Sequence, residues 1–250
     1  MPEFSVFIPV LDEAAILRPN CLRLLDYLEN ITPDFELIIG SNGSTDATPD
    51  LGRELAAAEP RLRFFHLPQK GPGRAFARAV ALAAAPKLIT LDMDLSTNLD
   101  FVARAVGLLN DHAVVVGSKQ QGSQERGLVR ILGSGAYILC ARLFLGLPYR
   151  DYSIGAKGFR LDWLRSQRQA IDWNTAYVGN LLYRAHRDGQ PVSEVPVTCH
   201  DTRRSRFGLG HEGFYRFAWL GRLWWRCHLR GQPVKGGLEP DTEQPSPIYR

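Results

Sequence analysis

Two carboxylates one residue apart, Asp92 and Asp94, are the residues of this sequence best suited to bind a divalent cation. They follow an apolar run, Leu88 to Leu91, which predicts a short buried strand. Ligands of an α/β sheet usually bind at the carboxyl ends of its strands, and Mg²⁺ is typically held by one or two carboxylates plus substrate phosphates. The pattern therefore predicts a metal site. The alternative for an isolated Asp-x-Asp is that it only ends a strand and begins a turn.

The elements that must position these carboxylates alternate along the chain. Apolar, β-rich runs predict strands over 4–10, 35–39, 62–67, 88–91 and 112–118, with helices over 21–31, 46–58, 74–85 and 99–110. Pro19 is placed to open the first helix. Farther on we expect helices over 128–145 and 176–187, a strand over 156–160 and an edge strand over 191–198. Such alternation is typical of an α/β fold with a doubly wound, mostly parallel sheet.

Polar groups follow several of these strands. Glu13 follows the first strand, Asn42 the second, and a helix start at Gly71-Pro72-Gly73 the third, although a tight turn is the alternative for those glycines. In a parallel sheet these groups and Asp92 share one edge, where they would form a nucleotide pocket with a metal at one end. The Gly-x-Gly-x-x-Gly of dinucleotide-binding folds is absent after the first strand, and so is a Walker-type phosphate loop.

Length and composition indicate a globular protein of one large or two small domains. The chain has 250 residues, of which 45% are hydrophobic and 22% charged. Four scattered cysteines are expected to be reduced cytosolic thiols. We expect no signal peptide, because Met1-Pro2-Glu3 lacks a basic start and a strand-like segment follows at once. We also expect no transmembrane helix, because the longest uncharged apolar stretch, 131–141, is shorter than the roughly 20 residues that span a bilayer. A cytoplasmic location follows from these observations.

Positive charge is concentrated near the end of the chain. Residues 201–235 carry eight basic and two acidic side chains, which indicates an anionic partner. No nucleic-acid-binding motif accompanies them, so nucleic acid is not expected. Residues 213–230 predict an amphipathic helix with an arginine row (Arg222, Arg226, Arg230) opposite an apolar row (Phe217, Leu220, Trp224), which suits a membrane interface. Packing on the domain with a basic outer face is the alternative, and we expect residues 231–250 to form a disordered tail.

A set of short motifs in a fixed order connects these observations. They are Pro9 with Glu13, Ser41-Asn42-Gly43-Ser44-Thr45-Asp46, Asp92-Met93-Asp94, Gly117-Ser118-Lys119, the segment 146–160, the segment 182–197 and Arg203-Arg204-Ser205-Arg206-Phe207. Together they resemble family 2 glycosyltransferases with the GT-A fold, and more narrowly the dolichyl-phosphate or polyprenyl-phosphate mannose synthase group. The match covers roughly residues 4 to 210.

The resemblance implies a GT-A domain over 1–212, with a Rossmann-like nucleotide-binding half and an acceptor-binding half. It also implies inverting transfer of a hexose, mannose or glucose, from a GDP- or UDP-linked sugar to a polyprenyl phosphate, by an enzyme peripheral to the cytosolic face of a membrane. The donor-binding residues would be Pro9, Leu11, Glu13, Gly40, Asn42, Asp92, Met93 and Lys119. Mg²⁺ or Mn²⁺ would be held by Asp92, Asp94 and Ser96, the catalytic residues would be Asp94, Asp151 and Arg130, and the acceptor phosphate would bind Arg203, Arg204 and Arg206.

Several positions depart from the family pattern. Ser41-Asn42 stands where the family usually has an acidic pair, Ser96 where many members have Gln, Lys119 where they have Arg, and Asn180 where relatives often have Glu. Asp151 has a turn cap as its alternative role. Two further functions therefore stay open, namely a glycosyltransferase of the same fold with a soluble or protein acceptor, and a non-catalytic protein that binds a sugar nucleotide.

Overall fold

The computed structural model describes residues 1–122, 128–199, 209–236 and 248–249, with the backbone alone described for 128–130 and 209–212. Its strands are β1 (Phe4–Val10), β2 (Phe35–Asn42), β3 (Leu62–Leu67), β4 (Lys87–Thr90), β5 (Val114–Ser118), β6 (Lys157–Arg160), β7 (Val192–Pro196) and β8 (Ile248–Tyr249). Its helices are α1 (Ala14–Glu29), α2 (Thr48–Ala58), α3 (Pro72–Leu82), α4 (Asp100–Leu108), α5 (Leu128–Leu145), α6 (Leu161–Ser166), α7 (Tyr177–Arg187) and α8 (Leu209–Trp224). A 3₁₀ turn (Arg168–Ala170) precedes α7, and a π-helical turn (Trp225–Leu229) continues α8.

The strands form one sheet in the order β7-β5-β6-β4-β1-β2-β3-β8. The pairs β1–β2, β1–β4, β2–β3 and β5–β7 are parallel, so the predicted mostly parallel α/β sheet is confirmed. β6 runs antiparallel between β4 and β5. Its first residue therefore lies beside the carboxyl ends of β4 and β5, which is the edge where ligands of such sheets bind.

Both faces of the sheet are buried, which explains why its central strands read as continuous apolar runs. On one face Val6, Ile8 and Val10 pack with Leu17 of α1 and Phe101 of α4. The opposite face is covered by side chains of α3 and α5 to α8, among them Phe76, Leu145, Leu164, Leu181 and Leu220. The helices on this second face bring additional side chains to the carboxyl edge of the sheet.

One expectation differs from the structure. α1 begins at Ala14 and contains Pro19 within it, because the N–H groups of Glu13 and Ala14 are bound by side chains of Thr48 and Asp46. Of the predicted tail over 231–250, the structure describes 231–236, where Val234 is buried, and 248–249, which pair antiparallel with β3. None of the described helices is both long and apolar enough to cross a bilayer.

Candidate active site

Asp92 and Asp94 lie in a tight turn directly after β4. Leu95 N donates to Asp92 O at 3.1 Å, and Leu95 has a φ of 48°, a left-handed conformation that is uncommon for a leucine. From α1, Asn20 Nδ2 donates to Met93 O at 2.9 Å. The turn is therefore fixed both by its own backbone and by a neighbouring helix.

Asp92 is exposed to solvent although protein atoms crowd around its carboxylate, so it lies in a recess of the sheet edge, the cleft. Gly155 N donates to Asp92 Oδ2 at 3.2 Å, and a Cβ at Gly155 would lie 2.3 Å from the carboxylate atoms. Thr90 Oγ1 donates to Gly155 O and fixes this glycine in turn. The surrounding protein raises the pKa of Asp92, and the charge of Asp94 adds to the shift. A cation between the two carboxylates would remove this repulsion.

The donor set of this turn fits Mg²⁺ or Mn²⁺ bound together with a substrate. Ser96 N donates to Asp94 Oδ1 at 3.0 Å, so Ser96 contributes through its backbone to the orientation of that carboxylate. No cluster of three or more His, Cys, Asp or Glu side chains that could hold a metal occurs in the part of the chain that the structure describes. Two carboxylates are what a divalent ion needs when diphosphate oxygens and water complete its coordination.

The loop that carries Leu11 and Glu13 is held by the Ser-x-Asp motif of the next loop. Backbone N–H groups of the first loop donate to side-chain oxygens of the second: Asp12 N to Ser44 Oγ (3.0 Å), Glu13 N to Thr48 Oγ1 (2.8 Å) and Ala14 N to Asp46 Oδ2 (3.1 Å). In return, Asp12 Oδ1 accepts from Thr45 N at 2.7 Å. The motif therefore positions the loop of Leu11 and Glu13 at the sheet edge.

Two of the expected donor-binding residues make contacts inside the protein. Asn42 is buried, and its Nδ2 donates to Val10 O at 3.0 Å while its Oδ1 accepts from Gly71 N at 3.4 Å. A carboxylate could not make the first of these bonds, because it has no hydrogen to donate. At Gly40, which pairs with Pro9 in the sheet, a Cβ would lie 2.4 Å from the Phe65 ring. Packing alone is therefore sufficient to require Gly40.

Asp151 is buried and caps the turn that follows it. Its Oδ1 accepts from the backbone N–H groups of Ser153 (2.8 Å) and Ile154 (3.2 Å), and its Oδ2 forms an ion pair with Lys119 Nζ at 3.7 Å. Burial alone would raise the pKa of Asp151, but the Lys119 charge and the Ser153 N–H hold it below its usual value. These contacts favour the turn-cap role, and Lys119 Nζ also donates to Ser153 Oγ at 3.1 Å.

Sequence reasoning missed three residues of this cleft, Lys157, Tyr177 and Arg216. Lys157 is 4% exposed, and burial lowers its pKa to about 8 against the attraction of Asp151 and Asp92. The charges of Asp92 and Arg216 both act on the pKa of Tyr177, the first raising it and the second lowering it. The sequence feature that could have pointed to Lys157 is a lysine within the predicted strand β6. No local feature of α8 points to Arg216.

Side chains from α7 and the turn before it hold α8 against the domain. Trp219 Nε1 donates to Asn180 Oδ1 at 2.9 Å, and Asn180 Nδ2 donates to Ala170 O at 2.8 Å. Tyr215 OH donates to Asp172 Oδ2 at 2.6 Å. These bonds flank Arg216 on both sides, so Asn180 helps to fix the helix that carries this arginine.

Trp219→Phe is expected to lower the free energy of unfolding by about 1–3 kcal/mol, because the buried Asn180 carbonyl loses its donor. Urea denaturation followed by circular dichroism measures the loss. Trp225→Phe is the matched control, since Trp225 is half exposed and a surface change usually costs less than about 0.5 kcal/mol. An unchanged stability in Trp219→Phe would contradict the structural role of Asn180.

The other predicted residues lie outside the described part of the site. The side chain of Arg130 and all of Arg203, Arg204 and Arg206 are not among the described residues. The chain that leads into the arginine segment is described up to residue 199, and Cys199 pairs with Thr97 in a β-bridge. Thr198 N also donates to Asn98 Oδ1 at 3.0 Å. Residue 199, the last one described before the arginine segment, therefore pairs with a residue three positions after Asp94.

Comparison with known proteins identifies the family. The model for glycosyl transferase family 2 matches residues 5–166. The chain belongs to this family. It is a glycosyltransferase, and the resemblance deduced from the motifs is confirmed.

Curated relatives include two proteins of Haloferax volcanii. Glycosyltransferase AglD is 29% identical over 229 residues, which are 84% of this chain and 36% of that protein. The dolichyl-phosphate hexose transferase is 26% identical over 174 residues, 68% of this chain and 72% of that protein. The polyprenol monophosphomannose synthase of Mycolicibacterium smegmatis is 27% identical over 207 residues, 77% of this chain and 76% of that protein. This family 2 chain thus spans about a third of AglD.

Among solved structures, glucosyl-3-phosphoglycerate synthase from Mycobacterium tuberculosis in complex with Mn²⁺ and UDP-glucose matches with a TM-score of 0.66. The identity is 22%, over 99% of this chain and 86% of that chain. This likeness shows a shared GT-A fold, as expected from the sequence.

Proposed function

We propose that this glycosyltransferase moves a hexose, mannose or glucose, with inversion from a GDP- or UDP-linked sugar to a polyprenyl phosphate at the cytosolic surface of a membrane, with Mg²⁺ or Mn²⁺ as cofactor. The observation that carries the proposal is an exposed apolar and basic helix pair, one of whose arginines, Arg216, acts through its charge on Lys157 and Tyr177. Relatives named as dolichyl-phosphate and polyprenol sugar transferases agree with it.

The helix pair is formed by α5 and by α8 with its π-helical extension. Of the twelve large hydrophobic side chains that are exposed among the described residues, eight belong to this pair, namely Leu132, Leu139, Leu143, Phe144, Phe214, Phe217, Trp225 and Leu229. Ring contacts join the two helices, with 5.6 Å between the centroids of Tyr137 and Phe217 and 6.2 Å between those of Phe144 and Trp224. Such a concentration of apolar surface marks an interaction site.

The charge of the helix pair favours an anionic bilayer as the partner. Residues 128–145 and 209–236 contain one acidic residue, Glu212, against seven basic residues, namely Arg130, Arg142, Arg216, Arg222, Arg226, Arg230 and Lys235. Arginine and tryptophan beside exposed leucine and phenylalanine suit the headgroup region of a membrane. Leu220, Leu223 and Cys227 are buried in the core, so α8 packs on the domain and leaves its outer side to the membrane.

The proposed reaction follows from the charges of the cleft. Asp92 and Asp94 would hold the cation, which when bound neutralises the charge that develops on the leaving nucleoside diphosphate. An acceptor phosphate is already anionic and needs little help from a general base to attack the anomeric carbon. Arg203, Arg204 and Arg206 would hold that phosphate, because arginine binds phosphate with two parallel hydrogen bonds.

Flotation with anionic vesicles at low salt tests the membrane role. The wild-type protein is expected to float with the vesicles, and the double variant Leu139→Glu/Leu143→Glu to lose at least about tenfold in partitioning, because two exposed apolar side chains become anionic. Leu22→Glu is the control, since Leu22 is exposed on α1 and lies outside the helix pair. Equal flotation of the double variant and the wild type would contradict the proposed surface.

Transfer to lipid is tested by incubating the protein with Mn²⁺, a short-chain polyprenyl phosphate and radiolabelled GDP-mannose, GDP-glucose or UDP-glucose. A labelled glycolipid is expected. Label that appears only in a soluble or protein product would favour the second acceptor class. Calorimetric binding of a sugar nucleotide without hydrolysis or transfer would favour the non-catalytic alternative.

A further inference from the structure

Lys157 is a buried lysine at the edge of the sheet where the turn with Asp92 and Asp94 lies. It is the first residue of β6 and pairs with Thr90 of β4 and with Val116 of β5. Although only 4% of its surface is exposed, its Nζ makes no hydrogen bond and no ion pair within 4 Å to any residue that the structure describes. The ammonium thus has little contact with water and no described acceptor in contact.

Charged groups from four different segments face this ammonium. Asp92 after β4 and Asp151 before β6 attract it, whereas Lys119 after β5 and Arg216 of α8 repel it. Lys119 pairs with Asp151 at 3.7 Å, so the attraction of Asp151 is shared between two lysines. A buried ammonium without close acceptors is costly, and the low pKa of Lys157, about 8, agrees with this environment.

The position of Lys157 on its strand directs the side chain to the cleft. Side chains alternate between the two faces of a strand, and Phe159, two residues later, packs against Phe76 at 5.6 Å on the face covered by α3 and α7. Tyr177 stacks on the same Phe76, with 4.5 Å between the ring centroids, and the charge of Asp92 raises the pKa of Tyr177. Lys157 therefore lies beside the cleft that contains Asp92, and the two charges act on each other.

We propose that Lys157 binds a phosphate oxygen of a substrate in this cleft. The inference rests on the proposed function, which brings two phosphate groups to this edge: the diphosphate of the sugar nucleotide and the phosphate of the acceptor. An ammonium offers three donors in a compact charge, which matches the non-bridging oxygens of either group. Lys157 is distinct from Lys119, whose Nζ already donates to Ser153 Oγ within the protein.

The test compares Lys157→Met with wild type in two binding measurements. Calorimetry gives the Kd of UDP and of GDP in the presence of Mn²⁺, and initial rates give the KM of a short-chain polyprenyl phosphate. Loss of one charge-assisted hydrogen bond is expected to raise either the Kd or the KM by about 10- to 100-fold. A raised Kd of the nucleoside diphosphate assigns Lys157 to the sugar donor. A raised KM of the acceptor with an unchanged Kd assigns it to the acceptor. Lys157→Arg, which keeps the charge, should recover part of the loss.

Lys87→Met is the matched control, because Lys87 lies at the opposite end of β4 and pairs with Arg160 there. A folded Lys157→Met protein in which both constants equal those of wild type and of Lys87→Met would overturn the proposal. Amine labelling of the wild-type protein, read by mass spectrometry, needs no variant to fold. Saturating nucleoside diphosphate or polyprenyl phosphate should protect Lys157 and leave Lys87 reactive, and equal labelling of Lys157 under every condition would also overturn the proposal.

The two proposals fail in different ways. Ligand binding and protection from labelling require no turnover, so protection without any glycolipid product would contradict the proposed reaction and support the phosphate role of Lys157. Glycolipid synthesis with normal constants in Lys157→Met would contradict only the role of Lys157.

Discussion

Asp94→Ala is expected to reduce metal-dependent sugar transfer by about 10³-fold or more. Asp94 is one of the two carboxylates in the turn after β4, and metal stabilisation of a leaving diphosphate is worth several kcal/mol, which corresponds to about a factor of ten in rate per 1.4 kcal/mol. The measurements are the initial rate of transfer and the Kd of Mn²⁺ by calorimetry. Both should change together, because the same side chain would hold the ion and place it against the diphosphate.

Asp94→Asn separates the charge of Asp94 from its structural contact. An amide oxygen can still accept the hydrogen bond that Ser96 N donates to Asp94 Oδ1, so the turn is expected to keep its shape while losing a negative charge. Asp111→Ala, a change at an exposed residue away from the cleft, should leave rate and metal affinity unchanged. Full activity of Asp94→Asn, or of the wild-type protein in excess chelator, would contradict the metal site.

Gly155→Ala is expected to lower the transfer rate by about 10²-fold and to weaken Mn²⁺ binding. The added Cβ would lie 2.3 Å from Cγ, Oδ1 and Oδ2 of Asp92, a distance that real atoms do not tolerate, so the carboxylate must swing away. Displacement of a substrate-positioning group by about 1 Å is sufficient for a loss of this size. Because Asp92 is exposed to the cleft and can move into it, the melting temperature should change little.

Gly107→Ala provides the matched control for this change. Gly107 lies in α4, and a Cβ there meets nothing within 4 Å. Alanine favours a helix over glycine by about 0.5–1 kcal/mol, so this variant should be slightly more stable and fully active. A Gly155→Ala protein with the Mn²⁺ affinity and rate of wild type would show that the orientation of Asp92 against Gly155 is not needed for the reaction.

Residues that neighbour each other along the chain were predicted well from the sequence. The bounds of β1 and β3 were predicted to the residue, because both strands are rich in large apolar residues and end where turn-forming or polar residues begin. The Asp-x-Asp motif was placed correctly at the end of β4, since it directly follows such a run. The order of these short motifs was also sufficient to predict the family and the GT-A fold.

Contacts between distant residues could not be predicted in this way. α1 begins before Pro19 because its first N–H groups are bound by Asp46 and Thr48, more than 30 positions away. The sequence gives Asn42 only as a departure from an acidic motif, whereas the fold uses its amide to join Val10 to Gly71.

Asp92 and Asp94 illustrate the same division. Their spacing alone indicated a cation site, but the tertiary structure decided their environment. An antiparallel strand inserted between β4 and β5 brings Gly155 and Lys157 beside Asp92, and α8, held by Asn180 and Asp172, adds Arg216. Charges act through space over distances that sequence separation does not measure, so only the fold determines which cations share the cleft with the metal site.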